Sequence, residues 1–102
     1  MCGRFTLHLP PELIAEIFGV PLVSDVNPRF NVAPSQTHPV VRLTAEGRQL
    51  VPMKWGLIPH WAQDSRLGYS MINARAETID TKPSYRGSFR ARRCLVPADG
   101  FF

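Results

Sequence analysis

Apolar and polar side chains alternate along Phe5-Thr6-Leu7-His8-Leu9, the period of a half-buried strand that would carry Cys2 and Arg4 at its leading end. Pro10-Pro11 stops that strand, and Leu13, Ile14, Ile17 and Phe18 then recur on one helical face. This spacing predicts a short helix over Glu12 to Phe18 that packs on a sheet. Its ends agree: proline opens the first turn, Glu12 lies at the positive end of the dipole and Gly19 follows as a stop. Val20 to Gln36 reads as irregular, with turn points at Asn27-Pro28 and Ala33-Pro34. Val40-Val41-Arg42-Leu43 and Gln49 to Trp55 then flank Ala45-Glu46-Gly47-Arg48, which predicts a hairpin with Gly47 at a positive φ. Residues 59–70 form a long polar loop, and loops of that length in small domains usually bind something. Met71-Ile72 leads into Asn73, Ser84 to Arg93 reads as a helix with Arg86, Arg90 and Arg93 on one face, and Cys94 to Pro97 resumes as a strand. Gly100-Phe101-Phe102 opens a further strand.

A chain of 102 residues holds one domain, near the lower end of sizes that bury a self-sufficient core. With 44% hydrophobic and 20% charged residues it is globular rather than disordered, and ten prolines favour turns and short strands. The net charge is +4, and Lys54 and Lys82 are the only lysines among twelve basic residues. Arginine's planar fork suits phosphate contacts and base stacking. The excess charge fits a polyanionic partner and simple solubility equally well at this point. Lys82 to Arg93 holds five basic residues and no acid, which suits either a solvated helix face or a nucleic-acid contact.

Two cysteines, Cys2 and Cys94, stand far apart, and His8, His38 and His60 have no metal-ligand spacing with them, so neither a metal site nor a cofactor is expected. No signal-peptide core follows Met1, and no run approaches the roughly 18 apolar residues of a membrane span. The chain reads as cytoplasmic with free thiols, and as nucleoid-associated if bacterial.

Cys2 carries the most distinctive chemistry. Removal of Met1, expected because Cys2 and Gly3 are small, leaves amine and thiol on adjacent carbons. An α-amine with a reference pKa of about 7.7–8.0 is partly neutral near pH 7 and attacks an aldehyde to give an imine, on which the thiol closes a five-membered thiazolidine.

Five ordered blocks extend this reading. Met1-Cys2-Gly3-Arg4-Phe5, Arg29 to Pro34, Trp55 to Pro59, Ile72 to Thr78 and Arg93 to Phe101 together resemble the SOS response-associated peptidase (SRAP) family, proteins that shield abasic sites in single-stranded DNA. The resemblance covers essentially the whole chain, as the N-terminal portion of a single SRAP domain over residues 1–102. It implies an α+β fold, a mixed and largely antiparallel barrel-like sheet with short flanking helices. It also implies that Cys2 crosslinks to the ring-opened aldehyde of an abasic deoxyribose in the DNA damage response. Asn73 would hold the opened sugar as the second catalytic residue, and Arg4 and Arg75 would neutralise phosphates. Asn31 and Pro34 match the loop lining the DNA cleft, and Trp61 matches an aromatic beside it. The residues alone leave other roles open: a turn cap for Asn73, pairing with Glu77 for Arg75, a core position for Trp61.

The family's glutamate, which follows the Gly-Phe-aromatic run, and its histidine farther on have no counterpart within residues 1–102. General acid-base groups typically contribute roughly 10²–10⁴-fold each, so slow crosslinking is expected to survive without them and efficient catalysis is not. The family name also implies a self-processing peptidase that exposes Cys2, and an imine at C1′ would allow β-elimination, a lyase activity. The competing readings are a non-catalytic single-stranded DNA-binding module and an inactive truncated fragment that self-associates through the Phe101-Phe102 edge.

Overall fold

A computed structural model describes every residue except Met1, Ser24 and Asp25. Met1, whose removal the sequence reading expects, therefore lies outside the described residues. The described elements run in the order β1 (Phe5–Leu7), α1 (Pro11–Phe18), β2 (Arg29–Val32), β3 (Thr37–Thr44), β4 (Gly47–Lys54), a 3₁₀ turn (Ser65–Tyr69), α2 (Arg86–Ala91) and β5 (Gly100–Phe101).

Two antiparallel sheets form. One has the order β2-β1-β5 and the other is the β3-β4 hairpin. The hairpin is tied to the segment leading into β5 by an isolated bridge, in which Val41 of β3 and Leu95 exchange both backbone hydrogen bonds at 2.8 and 3.0 Å. The expected barrel-like closure is thus absent among the described residues, and every described ladder is antiparallel rather than mixed. The joint is short for a reason that can be read in the chain. Pro97 has no N–H to extend a ladder, and its carbonyl is spent on the His38 ring, so Cys94 to Pro97 contributes one bridge instead of the expected strand.

The core is small and draws on strands of both sheets and on α1. Phe5 and Leu7 of β1 point inward, and with Ile14, Val20, Val32, Val40 and Val41 they are nearly inaccessible. Strand β1 stops at Leu7, two residues before the expected end, because the His8 and Leu9 amides turn to the Asp99 carboxylate at 2.6 and 3.0 Å. Thr6, facing the other way, donates to the same carboxylate at 2.6 Å. Asp99 therefore fixes both where β1 ends and where β5 lies against it.

Helix α1 forms as the sequence predicts. The Pro10 carbonyl accepts from Leu13 and Ile14, Gly19 adopts φ 62° as a left-handed cap, and the Val20 amide closes on the Ala15 carbonyl. Of the expected apolar face only Ile14 is fully buried, while Ile17 stays 56% exposed. Within the segment read as irregular, β2 forms by pairing Val32 with Phe5 and Arg29 with Leu7. The hairpin is longer than expected and pairs Thr37 through Thr44 with Lys54 through Gly47 around the two residues Ala45-Glu46, with Gly47 at φ 98°. Helix α2 spans only Arg86–Ala91. Arg93 lies beyond it and stacks over the Phe89 ring at 4.7 Å, so it does not share the helical face expected for it. No described helix is long and apolar enough to cross a membrane.

Candidate functional site

Cys2 sits half-buried just ahead of β1, and its carbonyl accepts a 2.9 Å hydrogen bond from the Asn73 side-chain amide, 71 residues away. That bond holds the peptide plane that follows the Cys2 α-carbon. The thiol lies 4.0 Å from the Arg4 carbonyl. Asn73 caps no local turn: its Nδ2 is committed to Cys2, and its Oδ1 has no hydrogen-bond partner among the described residues. The segment carrying it is held by side chains. The Trp55 indole donates to the Ile72 carbonyl and the Tyr85 hydroxyl to the Asn73 carbonyl, both at 3.0 Å.

Arg4 donates to the Asn31 side-chain carbonyl at 3.0 Å. A neutral amide orients the guanidinium without cancelling its charge, which leaves it available to an anion. Pro34 lies in the turn from Ala33 to Gln36, where Ser35 takes φ 72° and its amide donates to the Trp55 carbonyl at 2.9 Å. Trp55 returns a bond from its own amide to the Gln36 carbonyl at 3.1 Å. Trp55 therefore touches both the Pro34 turn and the Asn73 segment, bringing the two to one edge of the fold. Arg75 is exposed and has no side-chain partner among the described residues, Glu77 included. Trp61 is 51% exposed, so it is not a core residue, and its ring meets His60 edge-on at 4.9 Å. No described hydrogen bond joins Arg75 or Trp61 to the Cys2-Asn73 pair.

A largely apolar cavity of about 440 Å³ opens beside Cys2, with Phe5, Met53, Trp55, Cys94 and Phe101 among its walls. Lys54 is its one charged lining residue among those described. His38 reaches the same cavity from the core, only 3% exposed. Its Nε2 lies 3.2 Å from the Pro97 carbonyl, which can only accept, so Nε2 carries the proton and Nδ1 is left as a buried lone pair with no described partner.

Burial pushes His38 below the ordinary imidazole value of 6.5; the Pro97 carbonyl works against this, and the nearby Arg29 charge reinforces it. The folded state thus favours the neutral ring. Stability from this group is complete above the unfolded value and is lost as pH falls from there through the folded value. Melting temperature is expected to drop as pH is lowered from 7 to 5.5, and His38→Gln should flatten the profile across that window. An equal slope in the variant would assign the effect to other groups.

Among the described residues no three His, Cys, Asp or Glu side chains gather as a metal site. The family model described as SOS response associated peptidase (SRAP) matches residues 1–102. The chain belongs to the SRAP family. Its relatives include the abasic site processing protein YoqW of Bacillus subtilis, 44% identical over all of this chain and 47% of that protein. The abasic site processing protein HMCES of Mus musculus is 33% identical over all of this chain and 36% of its own length. A crystal structure of a protein from Bacteroides thetaiotaomicron superposes with a TM-score of 0.81 at 25% identity, covering 99% of this chain and 47% of that one. The chain spans just under half the length of its bacterial relative YoqW and about a third of HMCES.

Within this SRAP chain the structure brings together Cys2 with Asn73 and Arg4 with Asn31, and sets the Pro34 turn against Trp55. Sequence reasoning assigned no role to Trp55, Tyr85, Asp99 or His38. Trp55 and Asp99 were visible inside the family blocks. Tyr85 carried no signal, because its contact with Asn73 depends on how residues 73–85 fold back.

Proposed function

We propose that this chain recognises abasic sites in single-stranded DNA and, once Met1 is removed, captures their aldehyde through Cys2. The single observation that supports this most is the bond from Asn73 to the Cys2 carbonyl, since it ties the two residues the chemistry needs across most of the chain. The names of the relatives, abasic site processing proteins, point the same way.

In the proposed reaction the Cys2 amine adds to the C1′ aldehyde of the ring-opened sugar, and loss of water gives an imine. The thiol then adds across the C=N bond, its proton passing to nitrogen, and a thiazolidine links protein to DNA. Asn73 holds the Cys2 main chain by Nδ2, which leaves Oδ1 to accept from a sugar hydroxyl. Arg4, set by Asn31, and the exposed Arg75 supply phosphate contacts, the Pro34 turn lines the cleft, and exposed Trp61 offers a base a stacking surface worth about 1–3 kcal/mol.

The test is to mix the chain, freed of Met1, with a single-stranded oligonucleotide holding one abasic site and to run a denaturing gel. A shifted band that survives high salt is expected, absent with undamaged DNA and with a form retaining Met1. No shifted band on the denaturing gel, with a complex on a native gel that dissociates as salt rises, would instead support the non-catalytic binding module, whose affinity comes from counterion release.

A further inference from the structure

We propose that Trp55 and Tyr85 are positioning residues that aim the Asn73 amide at Cys2; the inference rests on the reading above, in which Cys2 is the reacting residue. Two consecutive carbonyls, those of Ile72 and Asn73, each accept a hydrogen bond at 3.0 Å from an aromatic side chain distant in the chain. One donor follows β4 and the other precedes α2. Residues 71–75 belong to no helix or strand, so their backbone lacks the repeated bonds that usually fix φ and ψ. Their other described backbone bonds are the Leu57 amide to the Met71 carbonyl, the Met71 amide to the Gly68 carbonyl, and the Thr78 amide to the Arg75 carbonyl. None of these acts on the Ile72 or Asn73 peptide.

Donors on both sides of one Cα hold the peptide planes that flank it. Those planes set the φ and ψ of Asn73 and so the direction of its Cα–Cβ bond. Only two side-chain torsions then separate the backbone from the Nδ2 that reaches the Cys2 carbonyl at 2.9 Å. Both clamping bonds are partly buried, where water competes less for the carbonyls.

Trp55 is itself anchored at three points. Its amide and carbonyl pair with Gln36 and Ser35, and its ring lies against Phe5 with centroids 5.5 Å apart. Phe5 begins β1, three residues after Cys2. One side chain thus braces the strand that delivers Cys2 and, through its N–H, the segment that delivers Asn73. Tyr85 sets the far side of Asn73 from the turn that leads into α2.

Trp55→Phe and Tyr85→Phe each remove one donor while keeping an aromatic ring, and Tyr85→Phe deletes a single oxygen. At saturating abasic DNA each is expected to slow adduct formation about 3- to 10-fold, the size of one hydrogen bond, with the half-saturating DNA concentration unchanged. In an Asn73→Ala background neither change should slow the reaction further. A purely structural role would instead give the same fold loss in both backgrounds, and that result would overturn the proposal.

A second measurement needs no DNA. In nitrogen-15 spectra of the native chain the Asn73 side-chain amide should be shifted and slow to exchange, and in both variants it should move towards the position of a free amide. An Asn73 amide unchanged in both variants would refute the clamp. Failure of the native chain to form any adduct would defeat the proposed function, while the amide spectra would still decide the clamp.

Discussion

Replacing Asp99 with alanine is expected to cost about 2–4 kcal/mol of stability, a large share of the roughly 5–15 kcal/mol typical of a small domain. The carboxylate accepts from the Thr6 hydroxyl and from the His8 and Leu9 amides, and its side chain is only 11% exposed. Alanine leaves two backbone donors at the end of β1 without an acceptor: the part-buried Leu9 amide costs about 1–3 kcal/mol, while water can partly replace the carboxylate at the exposed His8 amide. Asp99→Asn should lose roughly half as much, because one oxygen remains to accept from the amides. The pH dependence carries the same signature. Burial alone would raise the Asp99 carboxyl, but hydrogen bonds from Thr6, His8 and Leu9, with the His8 charge at 3.4 Å, outweigh it and hold the group below its ordinary 3.8. Its contribution is therefore full above that value and is lost as pH falls through the folded value. Denaturant melts of native and Asp99→Ala chains should differ most at neutral pH and converge in acid; a constant gap would mean that the carboxylate's charge is not what stabilises β1.

The elements that were legible in the sequence are those whose signals are local. The first helix needed only Pro11, the spacing around Ile14 and Gly19, and the hairpin needed only two apolar runs around Gly47. The second strand was hidden. Arg29-Phe30-Asn31-Val32 shows weak alternation between two proline turns, and its strand is defined by long-range pairing along one side of β1, the middle strand of its sheet, which its own composition does not signal. Barrel closure, expected from family resemblance, depends on ladders that residues 1–102 do not supply among those described. The site shows the same division. Cys2 was legible as chemistry and Asn73 only as a match to a family block, and the fold brings them into contact. The bonds that set Asn73 were not, since a tryptophan N–H and a tyrosine hydroxyl reach it only through long-range folding.

Cys2→Ser is expected to lower the yield of denaturant-stable adduct with abasic DNA by about 100-fold or more, without removing the first step of the reaction. The serine chain keeps its α-amine, so it still condenses with the aldehyde to an imine and releases water. What it loses is the sulfur nucleophile. A hydroxyl closes the five-membered ring far less readily, and an imine left open hydrolyses when the protein is unfolded. Borohydride reduces the imine carbon and converts the linkage to a stable amine, so adding it before denaturation should restore a shifted band for Cys2→Ser. The native chain should need no reductant. This comparison separates the two halves of the aminothiol: the reductant-dependent band reports the amine, and the spontaneous band reports the thiol. The Cys2 backbone is held through its carbonyl by Asn73, a contact indifferent to the side chain, so the serine variant should bind DNA as the native chain does. Equal spontaneous adduct from Cys2→Ser would show that the Cys2 thiol is not needed and remove thiazolidine closure from the mechanism.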